Sequence, residues 1–178
     1  MIVIVEGPNG KYKDILIKHL RNCYFKRKAT IFKFSNMSDF SIGSYESCLD
    51  YKDDNIIMDG FNLLNESLLT IDDCTSQNNL LDHLKVMSKV EDLDAVYFIF
   101  YSSSMEVLDR SYKALCVDYP LTFDELYSIN QYYMDIGKEL RKLYPRNIKL
   151  IDIASTSVTT QFIEDVINKH LEEVNFDE

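Results

Sequence analysis

The sequence predicts an α/β domain of three layers: a parallel five-stranded sheet with helices on both faces. Two observations predict it. Short continuous apolar runs, "VIV", "NIIM", "AVYFIFY" and "IKLIDI", stand between longer amphipathic stretches. Such runs, rich in β-branched and aromatic residues, suit strands covered on both faces. The return from strand through helix to strand then recurs along the chain, which is the order of a doubly wound parallel sheet. The chain of 178 residues suits one domain, 1–178, and its 46% hydrophobic content can fill a core.

The elements follow in order. Strands are expected at Ile2–Val5, Thr30–Phe34, Asn55–Met58, Ala95–Tyr101 and Ile148–Ile153. Between them, Lys11–Tyr24 places Ile15, Leu16, His19 and Leu20 at helical spacing. Gln77–Val90 does the same with Leu80, Leu81, Leu84 and Met87. Ser104–Leu115 opens with Ser104 as an N-cap. Phe123–Tyr144 follows Thr122, and Glu125 three residues on completes a capping-box pattern. Its "SINQYYMDIGKEL" reads as core packing with an exposed edge, or as a surface for a partner or a stacked base. Thr159–Val174 closes the chain, with Phe162, Ile163, Val166, Ile167 and Leu171 inward. Ser35–Lys52 and Asp72–Asn79 read as irregular. In this architecture ligands collect at the carboxyl ends of the strands. The loops after Val5, Phe34, Met58 and Tyr101 are therefore the places to look.

Composition removes several function classes. A formal net charge of −10 repels nucleic acid. Lys26–Lys28, reinforced by Arg21 and Lys33, is the one basic cluster, and it reads as a solvated helix end. Small anionic ligands are not excluded, because backbone N–H groups bind phosphate against a global field. Cys23, Cys48, Cys74 and Cys116 have no zinc or redox spacing and read as reduced, mostly buried thiols. His19, His83 and His170 are equally scattered, and His19 and His170 fall on helices as surface or boundary residues. No run reaches the ~20 apolar residues of a membrane span, and the chain opens directly as a strand. A cytoplasmic location is expected.

The opening segment "MIVIVEGPNGKYKDILIKHL" carries the chemistry. Apolar Ile2–Val5 breaks at Glu6-Gly7-Pro8-Asn9-Gly10 and resumes as a helix. That is the layout of a phosphate-binding loop, whose pattern is G-x-x-x-x-G-K-[ST]. Gly7, Gly10 and Lys13 are present, whereas Tyr12 stands where the second fixed glycine belongs. Asp14 replaces the hydroxyl residue that holds magnesium.

With its strand and helix, "IVIVEGPNG" resembles the opening of the thymidylate kinase and deoxynucleoside kinase group of P-loop kinases. The resemblance implies a P-loop NTPase fold, ATP and Mg as cofactors, and a nucleotide or nucleoside as ligand. It implies that residues Gly7, Pro8, Asn9, Gly10, Lys11, Tyr12, Lys13 and Asp14 wrap the phosphates, with Lys13 on the β- and γ-phosphates. In the family the third strand ends in Asp-Arg; "IIMDGF" matches Asp59 but has Gly60 for the arginine. Asp59 would lie near the acceptor hydroxyl or a magnesium-bound water. Glu6 would contact the acceptor or orient the loop. The family's Arg-rich lid is reduced to Arg110 and Lys113, so Arg110 becomes the cation for the transferring phosphoryl group. The Asn-, Lys- and Ile-rich composition points to an AT-rich genome, and such kinases are frequent in large bacterial viruses. The resemblance thus implies a phage-encoded protein in a host cytoplasm.

The departures bear on activity. At ~4 Å two like unit charges repel by about 1–4 kcal/mol between water and a surface-like dielectric. Asp14 therefore opposes a triphosphate, unless it holds a magnesium ion directly. One missing electrostatic donor commonly lowers a rate ~10²–10³-fold. The expectation is weakened transfer to a (deoxy)nucleoside or its monophosphate. The alternative is an inactive kinase-like fold that binds a protein partner or forms a homodimer. Each residue also has a plainer reading: Gly7–Gly10 as an ordinary strand-to-helix turn, Lys13 as a solvated helix lysine, Asp59 as a helix N-cap, Arg110 as a surface residue.

Overall fold

A strand buried on both faces must be apolar at every position, and β1 (Ile2–Glu6) is so until its last residue. The computed structural model describes residues 1–8, 11–33, 55–60, 95–114, 121–155, and 161, 162, 164–166, 168 and 169. After β1 come α1 (Lys11–His19), β2 (Thr30–Lys33), β3 (Ile56–Asp59) and β4 (Val96–Tyr101). Then follow α2 (Met105–Lys113), α3 (Phe123–Leu143) and β5 (Ile148–Asp152). The described residues between 161 and 169 are helical. The expected Gln77–Val90 helix and the segments Ser35–Lys52 and Asp72–Asn79 lie outside the described residues.

All five strands are parallel, in the order β2-β3-β1-β4-β5. Side chains alternate between two cores. Val3, Val5, Ile57 and Phe98 pack with Leu16 and Ile17 of α1 and Leu108 of α2. Ile4, Met58, Tyr97 and Ile99 pack with Tyr133 and Leu140 of α3 on the opposite face. The sheet is thus the middle of three layers, as the apolar runs require.

The register sets which side chains meet at the carboxyl ends of the strands. Val5 lies beside Asp59, and Lys33 lies beside Asp59 from the other side. Glu6 lies beside Ile99, and Tyr101 beside Asp152. Glu6, Lys33, Asp59, Tyr101 and Asp152 therefore all end at one edge of the sheet.

Several local expectations change. The helix from Lys11 does not run uniformly to Tyr24: after His19 it widens into a π-helical turn, Leu20–Tyr24. Phe25 N–H donates to Leu20 C=O at 2.8 Å, one residue farther than an α-helical bond. The wider turn lets Leu20 and Phe25 both enter the same core. Ser104 occupies the N-cap position of α2 without a side-chain capping bond. Instead Ser102 Oγ donates to Ser104 C=O at 2.6 Å and accepts its N–H at 3.2 Å. His19 is not a surface residue: it is buried, with Nε2 3.6 Å from a Glu164 carboxylate oxygen. Cys23 is exposed, on the outer side of the π-turn whose buried residue is Leu20; the other cysteines lie outside the described residues. Lys33 does not belong with Lys26–Lys28, since β2 carries it to the opposite end of the sheet.

The capping box on α3 forms as its sequence requires. Thr122 Oγ1 accepts the Glu125 N–H at 3.2 Å, and Glu125 Oε2 accepts the Thr122 N–H at 2.7 Å. Those Thr122 donors hold the Glu125 carboxyl below its ordinary pKa. A depressed carboxylate stabilises above its unfolded pKa, and that contribution is lost as pH falls through the folded value. Thr122→Ala is expected to cost about 1 kcal/mol in urea denaturation at neutral pH, with a smaller loss in acid; an unchanged midpoint at neutral pH would contradict the assignment.

Candidate functional site

A phosphate site needs backbone N–H groups, a cation and room for close approach. The turn after β1 begins with Gly7 at φ 141°. A β-carbon there would lie 2.7 Å from Phe100 Cβ and 2.8 Å from Phe100 C=O. No side chain fits, so the turn leaves β1 against the end of β4. The first turn of α1 then stands over the strand ends, with Lys11, Tyr12, Lys13 and Asp14 on it. Asn9 and Gly10 lie outside the described residues.

Lys13 and Asp59 come together at the strand ends. Lys13 Nζ lies 3.5 Å from Asp59 Oδ1, with the two side chains only 13% and 11% exposed. Lys33 Nζ, more open to solvent, lies 3.7 Å from Asp59 Oδ2. One carboxylate thus separates two ammonium groups, and the cluster keeps one net positive charge. Partial burial of Lys13 and Asp59 limits its screening by salt. Gly60, at φ 75°, follows immediately and donates its N–H to Val5 C=O at 3.0 Å. That left-handed backbone suits glycine, and an arginine would be strained there.

The two substituted loop residues have distinct surroundings. Tyr12 is half-buried and packs against the core shared with α2. Lys11 Nζ lies 5.3 Å from its ring centroid, a cation–π distance. With Pro8, Lys13, Tyr101 and Ser111, Tyr12 lines a small cleft of ≈ 250 Å³, a volume that includes space open to solvent. The Ser111 hydroxyl is buried there without a hydrogen-bond partner among the described residues. Asp14 is half-buried.

Arg110 is not brought to this cluster. It is exposed on α2 and paired with Glu106 one turn earlier at 2.5 Å. Lys113 is likewise paired, with Asp109 at 2.6 Å. Among the described residues no group of three His, Cys, Asp or Glu side chains converges as a metal cage. Magnesium does not need one, since it takes most of its ligands from phosphate and water. Asp59 already faces two ammonium groups.

Side chains of β1, α3 and β5 hold the strand ends in place, and of these the sequence assigned a role to Glu6 without showing its partner. Glu6 is only 1% exposed and accepts the Tyr133 hydroxyl at 2.8 Å. Burial, then the charge and hydrogen bond of Glu6, raise the Tyr133 phenol well above its ordinary pKa, and a hydrogen bond from the Gly7 backbone lowers it in part. Tyr133 is therefore a neutral donor. Of the two roles open to Glu6, this geometry favours orienting the loop. One turn before Tyr133, buried Asn130 accepts the Ser102 N–H at 2.7 Å and donates to Ser102 C=O at 2.8 Å. Asp152 Oδ1 accepts the N–H groups of Ser103 and Ala154, each at 3.0 Å. Burial alone would raise the Asp152 carboxyl, but hydrogen bonds from Ser103, Ala154 and Ser155 outweigh it and hold it low. The available signal was a polar Asn and Tyr inside the inward stripe Leu126, Asn130, Tyr133, Gly137, Leu140.

No protein-family model matches the chain, and no curated protein matches it. A solved structure of a deoxyadenosine kinase from M. mycoides with bound dCTP is similar to it, with a TM-score of 0.56 and 18% sequence identity. The match covers 95% of this chain and 98% of that one. At this identity the likeness shows the fold: the chain shares the parallel α/β architecture of that deoxyadenosine kinase.

The Gly7 contact gives a direct test. Gly7→Ala combines a positive φ with overpacking against Phe100, and is expected to destabilise by about 2–4 kcal/mol in chemical denaturation. A loss below about 0.5 kcal/mol, the range of an ordinary surface change, would show that the backbones do not approach this closely.

Proposed function

We propose that this chain, built on the fold of a deoxynucleoside kinase, binds a nucleoside triphosphate at the Gly7–Asp14 loop and transfers its γ-phosphoryl group to a (deoxy)nucleoside or nucleoside monophosphate. The observation that carries the reading is the Lys13–Asp59 pair at 3.5 Å beside the Gly7 turn. It brings a phosphate cation and an acidic group from separate elements to one edge of the sheet. The bound dCTP of the similar deoxyadenosine kinase adds a nucleoside triphosphate as the ligand class to try.

On this reading a triphosphate draws Lys13 from Asp59 and lies along the N-terminus of α1, where the helix dipole favours negative charge. Asp59, released, faces the acceptor hydroxyl as a base or as the acceptor of a water's hydrogen bond. Magnesium would be held by Asp14 and would supply charge neutralisation between the phosphates. Arg110 contributes only after leaving Glu106, because its charge is otherwise satisfied within α2. Weak transfer is the expected consequence.

The second reading is a fold retained for binding another protein, without transfer. The paired states of Asp59 and Arg110 favour it. A transfer assay separates the two. Protein with labelled ATP, magnesium and a panel of nucleosides and their monophosphates is expected to give slow product formation that Lys13→Ala abolishes. No product with any acceptor would favour the binding reading.

Asp14→Asn resolves the role of the odd carboxylate. If Asp14 holds the metal, the variant loses the magnesium dependence of ATP binding, by about tenfold or more for one lost charged ligand. Tighter ATP binding by the variant, with magnesium dependence intact, would mean that Asp14 only repels the triphosphate.

A further inference from the structure

We infer that Tyr133 and Asn130 are positioning residues of the nucleotide site, through which α3 sets the shape of the phosphate loop and of the turn beyond β4. The inference rests on the reading of the Gly7–Asp14 loop as a triphosphate site. Neither residue need touch the ligand. Both act through backbone that does.

The geometry is specific. Glu6 ends β1 and Gly7 begins the turn, so the peptide between them fixes the direction in which the chain leaves the strand. The Tyr133 hydroxyl meets both residues that flank that peptide, donating to the Glu6 side-chain carboxylate at 2.8 Å and accepting a hydrogen bond from the Gly7 backbone. Asn130 grips the next strand end, pairing with the N–H and C=O of Ser102 at 2.7 and 2.8 Å. The two residues are three positions apart, and therefore neighbours on one helix face. They are 0% and 1% exposed. The helix cannot ride away from the sheet easily. Gly137, one turn beyond Tyr133, lies so near that a β-carbon would sit 2.6 Å from Leu150 Cδ2. The capping box fixes the near end of the helix.

Two adjacent strand ends, those of β1 and β4, are thus held by one turn of one helix. Their loops carry the Gly7 turn and the Ser102–Ser104 approach to α2. A structural hydrogen bond elsewhere would support stability alone. Asn147 provides that comparison. It is also buried, and its Nδ2 donates to Ala95 C=O at 3.0 Å, ahead of β4 at the opposite end of the sheet.

The test compares Tyr133→Phe, Asn130→Ala and Asn147→Ala with the wild type. Calorimetric titration with magnesium-ATP and with magnesium tripolyphosphate is run beside thermal unfolding without ligand. Tyr133→Phe keeps the ring and removes only the hydroxyl, so a folded variant is expected. Its affinity should fall about tenfold for both ligands, as for the loss of one aligned hydrogen bond in the loop. Equal loss for tripolyphosphate, which has no base, locates the effect in the loop. Asn130→Ala should weaken ATP as well. Asn147→Ala should lower the unfolding temperature and leave both affinities within about twofold, its site being distant from the loop. Wild-type affinity in Tyr133→Phe, or an equal loss in Asn147→Ala, overturns the inference alone. Failure of the wild type to bind either ligand overturns the reading of the loop, and the inference with it.

Discussion

The chain leaves β1 at a point with no room for a side chain. Gly7 lies against the β-carbon and carbonyl of Phe100, so β1 and the end of β4 approach more closely there than any other residue permits. From this contact follows the placement of α1 over the strand ends. From the parallel register follows the meeting of Lys13, Asp59 and Lys33. The charge cluster is a consequence of backbone geometry. Its members come from α1, β3 and β2, and only a sheet with β3 between β1 and β2 unites them.

The electrostatics of that cluster describe a site that is internally satisfied. Asp59 faces an ammonium group on each oxygen, and Arg110 faces Glu106. A triphosphate must compete with these pairs before it gains from Lys13. Exposed pairs are worth little, typically about 0–1 kcal/mol, so Glu106 is a weak competitor for Arg110. The less exposed Lys13–Asp59 pair is the stronger one. On the proposed reading, weak transfer would arise from the acidic side chains present as much as from the glycine and arginine that the loop and β3 lack.

The fold was legible because its signal is repeated. Each buried parallel strand shows as an apolar run, and every described strand lies within about two residues of its expected bounds, the usual uncertainty of element ends. Lys13 and Asp59 were legible from the strand-turn-helix context and from the end of "IIMD". The rest depended on distance in sequence. Nothing local tells that Tyr133 reaches Glu6 across 127 positions, or that Lys33 leaves the basic cluster to face Asp59. Arg110 reads as available in the sequence, yet Glu106 stands four residues earlier, at helical spacing, and pairs with it. A sequence gives no direction for the Tyr12 ring, and in the fold that ring packs against the core.

The central claim is that a loop with Tyr12 and Asp14 still binds a triphosphate through Lys13. Calorimetric titration of ATP, with and without magnesium, tests it most directly when wild type and Lys13→Ala are compared. The account predicts measurable binding that Lys13→Ala weakens by at least about tenfold, the worth of one charge-assisted contact. Equal affinity in the two proteins, or no binding by the wild type, would contradict it.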